Sequence, residues 1–242
     1  PLLAPEHYGD DRLFVYLRLH GDHNGDTDAA IGGIESSGQP VVRLDLQDRY
    51  DLGAEFYRWE FATAVAGELL GVHPFDQPNV RQAKDLTTQV LQEYRTSGRI
   101  PAEATDGSLE ELLSKARPGD YLAIMAYVLQ TPETDRALES LRRMITERHG
   151  IVTTLGYGHR FLHSTSQLHK GGPDTGLFLQ ITADHEKDTP IPGEPYSFGV
   201  LADAQASGDL QALRTAGRRV VRVNLGRDGP SAIKGLVAHL GQ

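Results

Sequence analysis

The sequence predicts an α/β protein, a three-layer sandwich built on a mainly parallel sheet. Two observations carry that prediction. Six short runs have the length of buried strands, and helical patterns separate them. The runs are also close to continuously apolar rather than alternating. A strand that is apolar on both sides needs cover on both faces, which helices crossing between parallel strands supply.

In chain order the runs are Leu13–Leu17, Val41–Leu46, Tyr121–Val128, Ile151–Leu155, Leu177–Ile181 and Val220–Leu225. The helices between them have readable edges. Asp76 precedes Pro78 and a periodic stretch through Val80, Ala83, Leu86, Val90 and Leu91, the pattern of an N-cap with a first-turn proline. Pro132 opens another helix that turns Ala137, Leu141 and Ile145 inward. Gly38, Gly150 and Gly217 each close a helical stretch ahead of a strand, as C-cap glycines do. Residues 99–119 interrupt the alternation with Ile100-Pro101, an amphipathic turn at Leu109–Leu113 and Arg117-Pro118-Gly119. They are expected to form a surface excursion from a single domain spanning 1–242, because two or three strands alone make a poor core.

Composition narrows the function. A net charge of −9 argues against a general nucleic-acid binder, which needs concentrated lysine and arginine. A small anion is still accessible, since it needs only a few local donors. No run approaches the length of a membrane span, so no membrane partner is expected. With no cysteine, thiolate nucleophiles and Cys-zinc sites are ruled out, and a cytoplasmic location is the simplest expectation. The chain opens on Pro1 rather than Met and is expected to be a piece of a longer protein.

Two stretches could carry chemistry. In Gly71–Lys84, Gln77 and Lys84 are two helical turns apart, so an amide and an ammonium share one face near a helix N-terminus. That combination could grip a polyhydroxylated anion, and the lysine could donate a proton. On spacing alone, the commoner case is that Lys84 is a solvated helix lysine and Asp76 only a cap. The second stretch, Gly156–Gly172, follows a strand and packs histidines, basic residues and hydroxyls between glycines. His163 and Gln167 are four apart and would share a helix face, with Ser164 and Thr165 near its start. Histidine here could be an acid–base group, or the stretch could be a polar turn. Metal binding is not expected, because no carboxylate sits at ligand spacing and His163 and His169 are six apart. A third stretch, Glu55–Ala64, reads as a helix that packs closely on a sheet or partner, with Trp59 in the core or an interface.

The first two stretches resemble one family. Pro74-Phe75-Asp76-Gln77-Pro78-Asn79-Val80 followed by Lys84 is similar to the Asn-Pro-Phe-Asp-Gln-Pro-Gly-Val-Glu-x-x-Lys signature of bacterial phosphoglucose isomerases. Leu162-His163-Ser164-Thr165-Ser166-Gln167 resembles their Leu-His-Ser-x-Gly-Gln element, and Pro195–Gly199 resembles a Tyr-Thr-Phe-Gly element. From Tyr8 to Val223 the chain looks closest to the end of transaldolase/phosphoglucose isomerase fusions. The departures are His73 for Asn, Arg81 for Glu, Ser166 for Gly, and His159 where the fusions tend to carry Pro.

The resemblance implies a SIS-like (sugar-isomerase) fold and interconversion of glucose 6-phosphate and fructose 6-phosphate without a cofactor. It implies active-site places for Gln77 and Lys84, the lysine acting in ring opening. His163 is a catalytic candidate of open role, and Ser164, Thr165 and Gln167 are substrate-binding candidates. The base and the phosphate-binding loop of the family lie in a part not matched here. The expected partners are therefore a sugar phosphate, an amino-terminal SIS domain of the parent chain, with or without a transaldolase domain, and further copies in a homo-oligomer. The alternative is a SIS-type module that binds sugar phosphates or dimerises without chemistry.

Overall fold

The computed structural model describes residues 2–76, 78–100, 105–227 and 229–240. The chain divides into two compact units, Pro1–Asp76 and Gln77–Gln242.

In the first unit, β1 (Phe14–Leu19) and β2 (Val41–Leu46) pair in parallel, from Phe14 opposite Val41 to Leu19 opposite Leu46. The helix α1 (Gly25–Ser36) links them and turns Ile31 and Ile34 onto Tyr16. Asp28 of α1 accepts from the Tyr16 hydroxyl at 2.9 Å and from Arg18 Nε at 3.0 Å, which ties the helix to β1. In α2 (Asp51–Leu70), Glu55 is buried and pairs with Arg58 at 2.7 Å. Trp59 is 45% exposed and Phe61 61%, so the core half of the expectation for this helix fails.

The second unit carries β3 (Tyr121–Tyr127), β4 (Val152–Tyr157), β5 (Gly176–Thr182) and β6 (Arg219–Asn224) in the order β4-β3-β5-β6, every pair parallel. Its helices are α3 (Pro78–Ser97), α4 (Leu109–Leu113), α5 (Pro132–His149), α6 (Ser166–Gly171), α7 (Phe198–Thr215) and α8 (Gly229–Leu240). A 3-10 turn at Arg160–His163 precedes α6. Leu122 and Ile124 of β3 and Leu177 and Leu179 of β5 pack on Leu112 of α4, Leu138 and Leu141 of α5 and Ile233 of α8. The alternate residues Ala123, Met125 and Phe178 face Phe161, Leu162 and α7, through Ala206 and Leu213. Helices on both faces of a parallel sheet make the three-layer sandwich, and β5 is buried along its whole length.

The helix edges follow local chemistry. Thr131 caps α5 by accepting the Thr134 N–H at 3.1 Å, with Pro132 in the first turn. Gly150 ends that helix at φ 65°, a left-handed backbone that favours glycine. Among the described residues, no helix is long and apolar enough to cross a membrane.

In the described residues 105–119, the leucines of helix α4 are buried. Leu109 and Leu112 are each 1% exposed and belong to the main core. Their spacing with Leu113 puts all three on one side of α4, and burying that side draws the segment onto the sheet. The turn that follows is pinned by Asp120, which accepts the Arg117 N–H at 2.7 Å and pairs with Arg219 at 2.5 Å. Leu112→Ala should therefore destabilise the protein by about 2–5 kcal/mol, a core penalty. Urea unfolding measures it, and a loss under about 0.5 kcal/mol would mark a surface position instead.

Candidate functional site

The site begins where α3 crosses α7. A Cβ on Gly208 would lie 2.6 Å from Thr87 Oγ1 and 2.8 Å from the Thr87 nitrogen, so only glycine lets the two backbones approach this closely. A second anchor holds the start of α3. The Gln167 side chain donates from Nε2 to Asn79 Oδ1 at 2.7 Å and accepts the Asn79 N–H on Oε1 at 3.1 Å. Gly171 leaves room for this pairing, since a Cβ there would meet Asn79 Oδ1 at 2.6 Å.

Between α3, α7 and the turn after β4 lies a cavity of about 200 Å³. Ala83, Lys84, Thr87 and Thr88 form one wall, His159, Leu162, His163 and Ser166 another, and Gln205 the third. It sits beyond the carboxyl end of β4, where open parallel sheets receive ligands. Lys84 is exposed at its rim. His163 Nε2 and His159 Nε2 are 3.1 Å apart, so the facing nitrogens hold one proton between them. Burial, then the charges of His163 and Lys84, holds the His159 pKa below the ordinary histidine value. The Thr87 and Thr88 hydroxyls donate to the Ala83 and Lys84 carbonyls, at 2.9 and 3.0 Å, which leaves their oxygens as acceptors. Among the described residues, no carboxylate lines the cavity. This set can bind a hydroxylated anion and move a proton at oxygen, but it offers no carboxylate to take one from carbon.

Ser164 and Thr165 line a different cavity, of about 250 Å³, with Tyr157, Arg160, Phe161 and His169. Both hydroxyls donate to the Phe161 carbonyl, at 3.2 and 3.3 Å. The turn thus has two faces, with 159, 162, 163 and 166 toward Lys84 and 160, 161, 164 and 165 away from it. Lys84 and His163, far apart in sequence, come together, while Ser164 and Thr165 do not join them. Gln167 is engaged with Asn79, and Gln77 lies outside the described residues.

His159, Ser166 and Gln205 were not singled out as site residues by sequence. His159 had a signal, a position one helical turn before His163 in the same polar stretch. Gln205 had none, because its stretch of α7 is made of small residues that read as packing. His169 is 4% exposed among Tyr121, Phe161 and Phe178, and its Nδ1 has no hydrogen-bond partner among the described residues.

No known protein-family pattern matches the chain. Short segments are similar to proteins named glucose-6-phosphate isomerase. Identity is 48% over 44 residues with that of Heliobacterium modesticaldum, 44% over 45 with that of Lactiplantibacillus plantarum and 43% over 44 with that of Enterococcus faecalis. These segments make up 18–19% of this chain, and they span about a tenth of the length of each of those curated relatives, 10%. A crystal structure of a hypothetical protein from Thermus thermophilus aligns over 93% of this chain and 55% of its own, at 19% identity and a TM-score of 0.42.

Burial, aided by the Lys170 charge, lowers the His169 pKa to about 4. Protonation is therefore harder in the folded chain than in the unfolded one, whose histidine titrates near 6.5. The stabilisation is complete above about pH 6.5 and is lost as pH falls toward about 4. Between about pH 7 and about pH 5 the unfolding free energy should drop by roughly 2 kcal/mol from this group. Chemical denaturation at the two pH values measures the drop, and His169→Phe should remove it.

Proposed function

We propose that this chain is the carboxy-terminal sugar-isomerase part of a glucose-6-phosphate isomerase. The observation that carries the reading is the meeting of Lys84 and His163, from two separate motifs, on one cavity. The short similarity to proteins of that name supports the same reading.

Interconverting an aldose and a ketose moves two hydrogens between neighbouring carbons, C1 being reduced as C2 is oxidised. The redox change is internal, so no cofactor is called for. The ring must first open, which needs a proton delivered to the ring oxygen and one removed from the anomeric hydroxyl. Lys84 can supply a positive charge and a proton at the ring oxygen. The histidine pair His159–His163 can relay the other proton, because its shared hydrogen can pass to either side. Transfer between C1 and C2 through an enediol needs a carboxylate base. In this reading that base and most of the phosphate grip belong to an amino-terminal SIS domain of the parent protein. The assembly would be a cytoplasmic homo-oligomer.

A second reading is a module that binds sugar phosphates or dimerises without chemistry. The lack of a carboxylate among the described residues of the cavity wall favours it. Lys84→Ala in the intact protein separates the two. An isomerase should lose about 10²–10⁴ in kcat with its melting temperature kept, since Lys84 is exposed and has no packing role. A coupled assay from glucose 6-phosphate reads the loss, and an unchanged rate would remove the catalytic role. The 242-residue chain alone should turn over slowly or not at all.

A further inference from the structure

Ser166 opens α6, is 1% exposed, and lines the cavity beside Lys84 and His163. Its oxygen accepts a hydrogen bond from Lys170 Nζ at 2.6 Å, one helical turn on. Lys170 is itself buried, and its ammonium pairs with Asp209 of α7 at 2.5 Å. The two side chains are 0% and 1% exposed. Burial pushes the Asp209 carboxyl up, and the Lys170 ammonium beside it pulls it back.

This arrangement decides which way the serine hydroxyl can act. Stripping the proton from Lys170 would leave a buried carboxylate without its counter-charge, a costly state. Lys170 is therefore held as a donor, unsuited to act as a base that would turn Ser166 into a nucleophile. With its oxygen engaged by an ammonium, the hydroxyl has its own proton left to give. Among the described residues that proton has no acceptor, since the bond from Lys170 is the one hydrogen bond the Ser166 side chain makes. The open space beside Ser166 is the cavity. A hydroxyl that accepts from a cation is also polarised into a stronger donor.

We propose that Ser166 is a ligand-binding residue that donates its hydroxyl proton to an acceptor oxygen of a sugar phosphate seated beside Lys84, with the Lys170–Asp209 pair fixing that polarity. The proposal deepens the sugar-phosphate reading and rests on it. It also gives a use to the serine that stands where the family resembled carries glycine, because glycine has no proton to offer.

The test is isothermal titration of the intact protein with glucose 6-phosphate and with fructose 6-phosphate, for wild type, Ser166→Ala and Ser166→Gly. Both variants should raise Kd about five- to thirty-fold, the range for one hydrogen bond to a bound ligand. Ser166→Gly restores the residue usual in that family, so the fold should tolerate it even where Ser166→Ala perturbs Lys170. Mono-deoxy glucose 6-phosphates then locate the accepting oxygen. Removing that one hydroxyl should weaken binding to wild type and leave binding to Ser166→Ala unchanged. Wild-type binding with both variants within twofold would overturn the role of Ser166 and leave the sugar-phosphate reading standing. A wild-type protein that binds neither sugar phosphate would overturn both.

Discussion

The contact between α3 and α7 at Gly208 is the constraint on which the site depends. With no side chain at 208, the backbone of Thr87 comes within van der Waals range of α7. That distance sets where everything one turn earlier falls. Lys84 precedes Thr87 on α3 and Gln205 precedes Gly208 on α7, and both reach the same cavity. The amide pairing of Gln167 with Asn79 fixes the other end of α3 against α6. Two anchors on one helix stop it from sliding or rolling, so the lysine is carried by a rigid element although its side chain is exposed. A methyl group at 208 would act on the site without touching any ligand.

Charge is distributed in the site by burial. At the rim, Lys84 is exposed to water. Half-way in, His159 is desolvated enough to resist protonation beside two other cationic groups. At the deepest level Lys170 is wholly buried and survives only because Asp209 is next to it. The three groups thus differ in how far water reaches them, which sets the partner each one needs.

Much of the architecture is legible in the sequence, for a physical reason. Strands covered on both faces are largely apolar, so Leu177–Ile181 announces itself despite Gln180, as does Tyr121–Val128. Gly150 and Pro132 mark helix ends because few other residues suit those backbone positions. The segment around Leu109 is harder to place. Its apolar residues show a helix face, but a five-residue helix flanked by Ile100-Pro101 and Pro118-Gly119 looks the same on a surface as in a core. Trp59 is opaque for the opposite reason: an aromatic side chain suggests burial, whereas α2 leaves it substantially exposed. At the site, Lys84 and His163 were readable as candidates, but their meeting needs a tertiary contact made by small residues of α7, which carry no chemical signal. Ser164 and Thr165 stand next to His163 in sequence and yet point elsewhere, because adjacent positions on a helical turn face about 100° apart.

The turn at residues 159–166 is a partition wall. One side meets Lys84, and the other closes over His169 and the edge of the sheet. A wall of single-residue thickness cannot be moved for one room alone. Whatever shifts His163 outward must carry Ser164 and Thr165 inward, narrowing the neighbouring chamber by the space gained. Selection on the shape of either chamber is therefore selection on both.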